Sequence, residues 1–280
     1  MKKQFGFTAG LCLLFAALYF AGSSTATAQE QSNGNTASPG FHSVACVKVR
    51  HGKMADFKTL VNGDFLKFEQ SRVDSGAISA WIVLRTVIPA GRDATCDYAF
   101  VTFYPGMPNA PMGDEEMTAA LKKAGVSASL EEMRKQEDAV GYLVYNSIDR
   151  TAVHVGQAKK GDYIIVNVMS VPDIGAWIAN EKKLWQPIFE DGVKDGSVDG
   201  WSVVEQFLPR GAKDQGNTYT VDIYPSWDAM FKFFGPGFSD RWKKIHPDVP
   251  ISQGMDQEHK VDTIEHTILY NVVNAVGASK

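Results

Sequence analysis

The 280-residue sequence predicts an α+β fold made of two tandem β-α-β-β-α-β repeats packed sheet to sheet. The first observation is an internal repeat, because residues 78–81 (ISAW) return as residues 198–201 (VDGW), 120 positions later. The second is that segments with strand and helix patterns follow the same order in both copies. The same offset pairs Pro89 with Pro209, Gly91 with Gly211, Val101 with Val221, Tyr104 with Tyr224 and Pro105 with Pro225.

The N-terminal residues have the pattern of a secretory signal peptide. Lys2 and Lys3 precede an apolar run over residues 5–21, and Ala26 and Ala28 form a small-residue cleavage site. The run is too short to read as a membrane span. We expect cleavage after Ala28, a disordered polar leader over residues 29–40, and export to the periplasm or the medium.

The first repeat is predicted over residues 41–152. Strand patterns cover residues 44–50, 78–87, 98–104 and 140–146, and helix patterns cover residues 53–72, 114–124 and 130–138. In the first helix the apolar residues fall on one face, and the triplet at 62–64 (NGD) predicts a bend.

The second repeat is predicted over residues 153–280. Its strands are expected at residues 163–170, 201–208, 219–224 and 263–273. Asp173 and Ser226 are predicted to cap helices, Pro187 to kink the first of them, and residues 235–237 (GPG) to end the second.

The order β-α-β-β-α-β is that of the ferredoxin-like unit, in which helices cover one sheet face and leave the other bare. Two matching strands begin at Trp81 and Trp201, and two others end in V-x-F-Y-P (101–105) and V-x-I-Y-P (221–225). On these features the chain resembles the dimeric α/β-barrel superfamily over residues 42–275. The resemblance implies a barrel with a cavity between the sheets. That superfamily includes cofactor-free monooxygenases, haem-degrading enzymes, haem peroxidases, isomerases and non-catalytic regulators, so no single reaction is implied.

Composition excludes several function classes. The net charge is −4 and no cluster of Lys and Arg interrupts it, which argues against nucleic acid or anionic lipid as a partner. No later segment is apolar enough for a membrane span.

Cys46 and Cys96 form a disulfide or remain two separate thiols. Their counterparts in the second repeat, Val166 and Gly216, show that the unit does not need a bridge.

Strand alternation assigns candidate site residues to the barrel interior. Ala99, Val101 and Phe103 are assigned to the helix-covered face, which sends the alternate residues inward: Phe100, Thr102, Tyr104, Thr220, Asp222 and Tyr224. Asp222 replaces the Thr102 of the first repeat and is a candidate base, with Tyr104 and Tyr224 as proton donors. The alternative is a structural carboxylate held by Thr or Tyr.

The second strands of the repeats suggest a charge pair. Arg85 and Glu205 are equivalent positions of opposite charge, so they either meet near the pseudo-twofold axis and orient a ligand or form an exposed pair of little consequence. Trp81 and Trp201 share the same strand faces and are assigned to packing, with ligand contact as the alternative.

Six histidines are spread along the chain, and their spacing matches no compact metal motif, so we expect no metal and no cofactor. His42 and His51 are predicted to be exposed and His154 to lie in the connector between the repeats. His266 lies within a predicted strand where the first repeat has Gly141, which makes it the candidate proton carrier beside Asp222 or an axial haem ligand.

The function expected from the sequence is binding of a small apolar or aromatic molecule between the repeats, by a monomer or homodimer. One hypothesis makes the protein a cofactor-independent oxygenase or isomerase that uses Asp222 and His266. The other makes it a non-catalytic binding or scaffold protein of the cell envelope, or a haem-binding barrel.

Overall fold

The first repeat contains four strands and four α-helices. The computed structural model describes residues 40–91, 94–108, 110–209 and 217–277. The strands are β1 (Phe41–Val49), β2 (Ala80–Ile88), β3 (Tyr98–Phe103) and β4 (Gly141–Gly156), and the helices are α1 (Met54–Leu60), α2 (Leu66–Asp74), α3 (Asp114–Lys123) and α4 (Leu130–Val140). A π-helical turn, Val61–Phe65, separates α1 from α2 at the predicted bend.

The second repeat has the same order with one additional helix. Its strands are β5 (Tyr163–Ser170), β6 (Gly200–Leu208), β7 (Thr218–Tyr224) and β8 (Thr263–Val276), and its helices are α5 (Ile174–Leu184), α6 (Gln186–Asp195), α7 (Trp227–Phe233), α8 (Phe238–Ile245) and α9 (Ile251–Glu258). Asp173 and Ser226 cap α5 and α7, because each side chain accepts a hydrogen bond from the N–H three residues on. Pro187 lies in the first turn of α6, just after Trp185, which separates α6 from α5.

The eight strands form one closed antiparallel barrel. Within each repeat the strands follow the ferredoxin-like order, β4-β1-β3-β2 and β8-β5-β7-β6. The edge strands of the two sheets then pair with each other, β2 with β8 and β4 with β6. The predicted α+β fold with two ferredoxin-like repeats is therefore confirmed, and hydrogen bonding along both edges joins the sheets.

The barrel interior contains the opposite strand faces from those that we predicted. An apolar cluster inside it is formed by Ile82, Leu84, Ala99, Val101, Ile164, Ile223, Tyr270 and Val272. The alternate faces pack under the helices, where Trp81 stacks on Phe100 and Trp201 stacks on Phe189. The interior of an eight-stranded barrel is narrow and is filled here mainly by aliphatic side chains, whereas the two tryptophan rings pack between sheet and helices.

Cys46 and Cys96 form a disulfide, which decides between the two alternatives left by the sequence. The bridge ties β1 to the segment that leads into β3, and both side chains are buried. Among the described residues, no helix has the length and apolar character needed to cross a bilayer.

The shared barrel leads to a prediction about the isolated halves. Residues 40–157 and 158–280 should each fail to give a soluble monomer with a cooperative melt, because each half would expose two unpaired strand edges and a bare sheet face. Co-expression of the two pieces should restore a soluble complex, measured by size-exclusion chromatography and thermal melting. Two well-folded monomers would contradict the single-barrel description.

A second prediction concerns the ion pair across the β4–β6 edge. Arg150 Nε lies 2.7 Å from Glu205 Oε1, and Glu205 is buried. In a double-mutant cycle, R150A and E205A should couple by on the order of 1 kcal/mol in urea unfolding, because Arg150 is half-exposed and solvent screens the pair. The control is a second double-mutant cycle with R85A and E205A. Because Arg85 is exposed and does not contact Glu205, the effects of these two variants should be additive. Equal coupling in both cycles would refute the assignment.

Candidate functional site

The carboxylate that the sequence put forward as a base lies outside the barrel. Asp222 and Tyr224 are on the helix-covered face of β7, as Thr102 is on β3, so the predicted inward direction is wrong for all three. Tyr104 follows β3 and bonds through its hydroxyl to Ser43 at 3.0 Å, on the helix side of β1. The error has one cause, the inverted assignment of strand faces.

Asp222 is nevertheless a perturbed group. It is buried, burial raises its pKa to about 7, and Asn167 Nδ2 donates to its Oδ2 at 3.3 Å. Tyr224 is fully buried nearby, and its hydroxyl has no hydrogen-bond partner. The donor to Asp222 is thus Asn167, in place of the Thr or Tyr of the structural alternative.

His266 does not join Asp222. It lies near the start of β8, opposite Val168 of β5, and it is exposed. Arg85 is exposed as well and does not meet Glu205, whose partner is Arg150. Asp222 and His266 are therefore not brought together, and Arg85 and Glu205 form neither the interior pair nor the exposed pair.

Three other residues place polar groups inside the barrel and contact one another: His42 of β1, Asp149 of β4 and Tyr219 of β7. His42 and Asp149 are direct neighbours in the β1–β4 register and point inward with Val44. Tyr219 shares the inward face of β7 with Val221 and Ile223, and it reaches both of them from the other repeat. We call these three side chains the interior relay.

The hydrogen bonds of the interior relay run from His42 through Tyr219 to Asp149. Tyr219 donates its hydroxyl hydrogen to Asp149 Oδ2. The Tyr219 oxygen is then left to accept from His42 Nε2, 3.3 Å away, and Thr151 Oγ1, 3.3 Å from Nδ1, donates to the other ring nitrogen. This tautomer is assigned from the network. Ser147 Oγ adds a second donor to Asp149 Oδ2 at 2.7 Å.

Asp149 is the reactive member of the relay. It is fully buried, and burial raises its pKa to about 7, against the opposing hydrogen bonds of Tyr219 and Ser147. Its two oxygens differ, since Oδ2 accepts two hydrogen bonds whereas Oδ1 is buried with no partner. A buried acceptor of this kind needs a proton, a water or a ligand donor.

Both neighbours of Asp149 are held in their neutral forms. Burial, and then the nearby His154, lower the pKa of His42 to about 4, so its imidazole is neutral. Burial and the adjacent Asp149 raise the pKa of Tyr219 well above its usual value, so its hydroxyl keeps its proton.

The two sides of the relay have different surroundings. Tyr219 is only half-buried, as are Tyr145 and Gln206, which are joined by a 2.9 Å hydrogen bond beside it. Phe103 lies on the other side, with its ring 5.3 Å from that of His42, and leads into the apolar cluster. The arrangement provides one acceptor, Asp149 Oδ1, at the boundary between an apolar interior and a polar opening.

Sequence reasoning missed this site for two reasons. His42 and His154 were predicted to be exposed and in a connector, but β1 and β4 extend further than predicted and carry both side chains into the barrel. Reversing the strand faces would have brought His42 inward with Val44 and Cys46. Tyr219 would then have followed from the alternation of β7.

The six histidines have different surroundings. His42 has both ring nitrogens engaged, and His154 Nδ1 is bonded to Ser202 Oγ at 2.8 Å. His246 Nε2 bonds to the carbonyl of Leu184, outside the barrel. His51, His259 and His266 are exposed. Of the two histidines carried into the barrel, His42 thus has both ring nitrogens engaged, and His154 uses Nδ1 in its bond to Ser202.

The comparisons with known proteins agree with the architecture. No protein-family model matches the chain, and its sequence matches no curated protein. A candidate monooxygenase of Fusobacterium nucleatum subsp. nucleatum superposes with a TM-score of 0.51 at 9% identity, over 85% of this chain and 94% of that one. A candidate monooxygenase of Lactobacillus acidophilus gives 0.50 at 8% identity, over 85% and 95%.

A haem-binding protein of Thermus thermophilus is more distant, with a TM-score of 0.42 at 12% identity over 84% of this chain and 92% of that one. At such identities the likeness shows the fold alone. The closed barrel of two ferredoxin-like repeats is thus similar in fold to these α/β-barrel proteins, with both halves of the barrel in one polypeptide.

Proposed function

We propose that the barrel binds a small, largely apolar or aromatic molecule and removes a proton from it, as a cofactor-independent oxygenase or isomerase. The observation that carries the proposal is Asp149 Oδ1, a buried and unpartnered acceptor on a carboxyl group whose pKa is raised to about 7. A base with such a pKa is well matched to proton transfer near neutral pH.

The proposed step uses the two oxygens differently. Oδ1 takes the proton from an acidic O–H, or from a C–H beside a carbonyl, and the bonding electrons stay on the substrate as a phenolate or enolate. Tyr219 and Ser147 hold Oδ2 throughout and keep the carboxyl plane aimed at the substrate.

Two outcomes follow from the same anion. In an isomerase, Asp149 returns the proton to a different carbon. In an oxygenase, a substrate CH2 group loses two hydrogens, dioxygen supplies the new carbonyl oxygen, and the second oxygen leaves as water. The neighbours named as candidate monooxygenases make the second outcome worth testing, but their identities of 8–9% support only the fold.

Binding without turnover is the second candidate. It is favoured by the apolar cluster, in which Tyr270 and Val272 are buried inside the barrel and occupy space that a large substrate would need. In that case the hydrogen bonds of the interior relay would serve to hold the two repeats together. Loss of stability without loss of ligand binding in relay variants would favour this function.

Export is part of the proposal. The basic start, apolar run and Ala26/Ala28 site support a cleaved signal peptide, although residues 1–39 lie outside the described segments. The Cys46–Cys96 disulfide supports an oxidising compartment such as the periplasm or the medium.

The base assignment is tested with 2-naphthol, an aromatic molecule with one weakly acidic hydroxyl. D149N should weaken its binding at least about tenfold, which corresponds to about 1.4 kcal/mol, because the hydroxyl loses its anionic acceptor. Affinity for the wild type should rise with pH through about 7, since the ionised carboxylate is the form that accepts the hydroxyl hydrogen. Fluorescence titration of the naphthol measures both effects.

The matched control is D222N. Asp222 is a buried aspartate with the same raised pKa, but it lies under the helices. Its replacement should leave 2-naphthol affinity within about twofold of wild type, since it removes no contact with the interior. Equal losses in D149N and D222N, or no binding by the wild type, would reject Asp149 as the base.

The export proposal has its own measurement. Protein recovered from the periplasm or medium should begin at Gln29, as determined by intact mass and N-terminal sequencing. Protein retained in the cytoplasm with residues 1–28 attached would reject it.

A further inference from the structure

A second buried polar cluster lies under the helices of the second repeat. It contains Glu181 of α5, Glu258 at the end of α9 and Asp262 in the turn that leads into β8, and one carboxylate oxygen of each lies within 4.8 Å of the others. All three side chains are buried, Glu181 almost completely. We call these residues the carboxyl triad.

Few donors serve the carboxyl triad. Trp177 Nε1 donates to Asp262 Oδ2 at 3.1 Å, and Asn180 Nδ2 donates to Glu258 Oε2 at 2.5 Å. None of the ion pairs in the described segments includes a member of the triad. Three ionised carboxylates at this separation would repel one another strongly in a buried setting.

In the first repeat, a buried carboxylate is neutralised by a neighbouring cation. There the buried Glu69 accepts two hydrogen bonds from Arg72 Nη1, at 3.0 and 2.8 Å, so a cation within the repeat neutralises it. The second repeat has no such cation beside its triad among the described residues, and protons are the remaining source of neutrality. Burial and the neighbouring carboxylates raise the pKa of Glu181 well above its usual value, and burial raises that of Asp262 to about 7.

We propose that the carboxyl triad is a proton-dependent latch that fastens α9 and the start of β8 to α5. With protons shared between the carboxyl groups, the triad holds the three segments together. When the protons leave, repulsion loosens α9 and the turn before β8, the strand that closes the barrel against β2. The latch is independent of the interior relay, which lies on the other face of the sheet.

The charged groups around the triad also favour its protonated form. Asp222 of β7 faces it and is a further carboxylate, and its effect on Glu181 is to raise the pKa. On the α9–β8 turn, His259 and Lys260 are exposed, as are Lys182 and Lys183 of α5. Arg241 and Lys244 of α8 pair with Asp191 and Asp195. The nearest ionisable neighbours are thus acidic.

The sign of the pH effect follows. Acids whose folded pKa values exceed the unfolded ones make the folded state bind more protons, so stability is greatest below the usual carboxyl range and falls as pH rises towards about 7. The loss should be localised to α9 and the adjoining turn, and α4, its counterpart in the first repeat, provides the internal reference.

The test is hydrogen–deuterium exchange of the full chain at about pH 5.5 and about pH 8, with protection of α9 expressed relative to α4. The ratio should fall at least about tenfold in the wild type as pH rises, and E181Q, which cannot ionise, should abolish most of that fall. E258Q tests the same triad from α9 if E181Q folds poorly. D149N is the matched control, because it removes a buried carboxylate elsewhere and should leave the ratio as in wild type.

Three results would overturn the latch. One is a protection ratio that does not change with pH in the wild type. Another is an E181Q or E258Q response equal to that of the wild type. The third is protection of α9 at pH 8 that rises with added Ca²⁺ or Mg²⁺ and falls with EDTA, because a cation would then do what the protons are proposed to do.

Discussion

The pairing of sheet edges between the two repeats is the constraint on which the rest of the structure depends. β2 bonds to β8 and β4 bonds to β6, so neither ferredoxin-like sheet keeps an open edge along these contacts. Closure brings the bare faces of both sheets together as a narrow interior. It also brings Tyr219 of one repeat within hydrogen-bonding reach of His42 and Asp149 of the other.

The architecture could be predicted from the sequence, because a fixed-offset repeat and the strand and helix patterns are local properties of the chain. The bend at residues 62–64 and the caps at Asp173 and Ser226 were predictable for the same reason. The faces of the strands were not, since both faces are buried in this fold and hydrophobicity alone does not separate them. The two conserved-offset tryptophans, Trp81 and Trp201, lie under the helices, whereas the interior cluster is mainly aliphatic.

The candidate site could not be predicted for a related reason. Asp149 lies beyond the predicted end of its strand, and Tyr219 approaches it from β7, which is not a neighbour of β4 in the sheet. No sequence spacing encodes a contact made across a barrel. The two repeats have diverged on both sheet faces, so polar groups collect at one end of the interior and acidic groups collect under α5 and α9.

The proposed function therefore rests on one atom, Asp149 Oδ1. This oxygen is buried without a partner between an apolar interior and the partly buried Tyr219. The most direct test is a crystal structure of the wild type with 2-naphthol. The account predicts the naphthol inside the barrel, its ring beside Phe103 and its hydroxyl within hydrogen-bond distance of Asp149 Oδ1. A naphthol bound outside the barrel, or a water-filled Oδ1 site with no ligand in the interior, would contradict it.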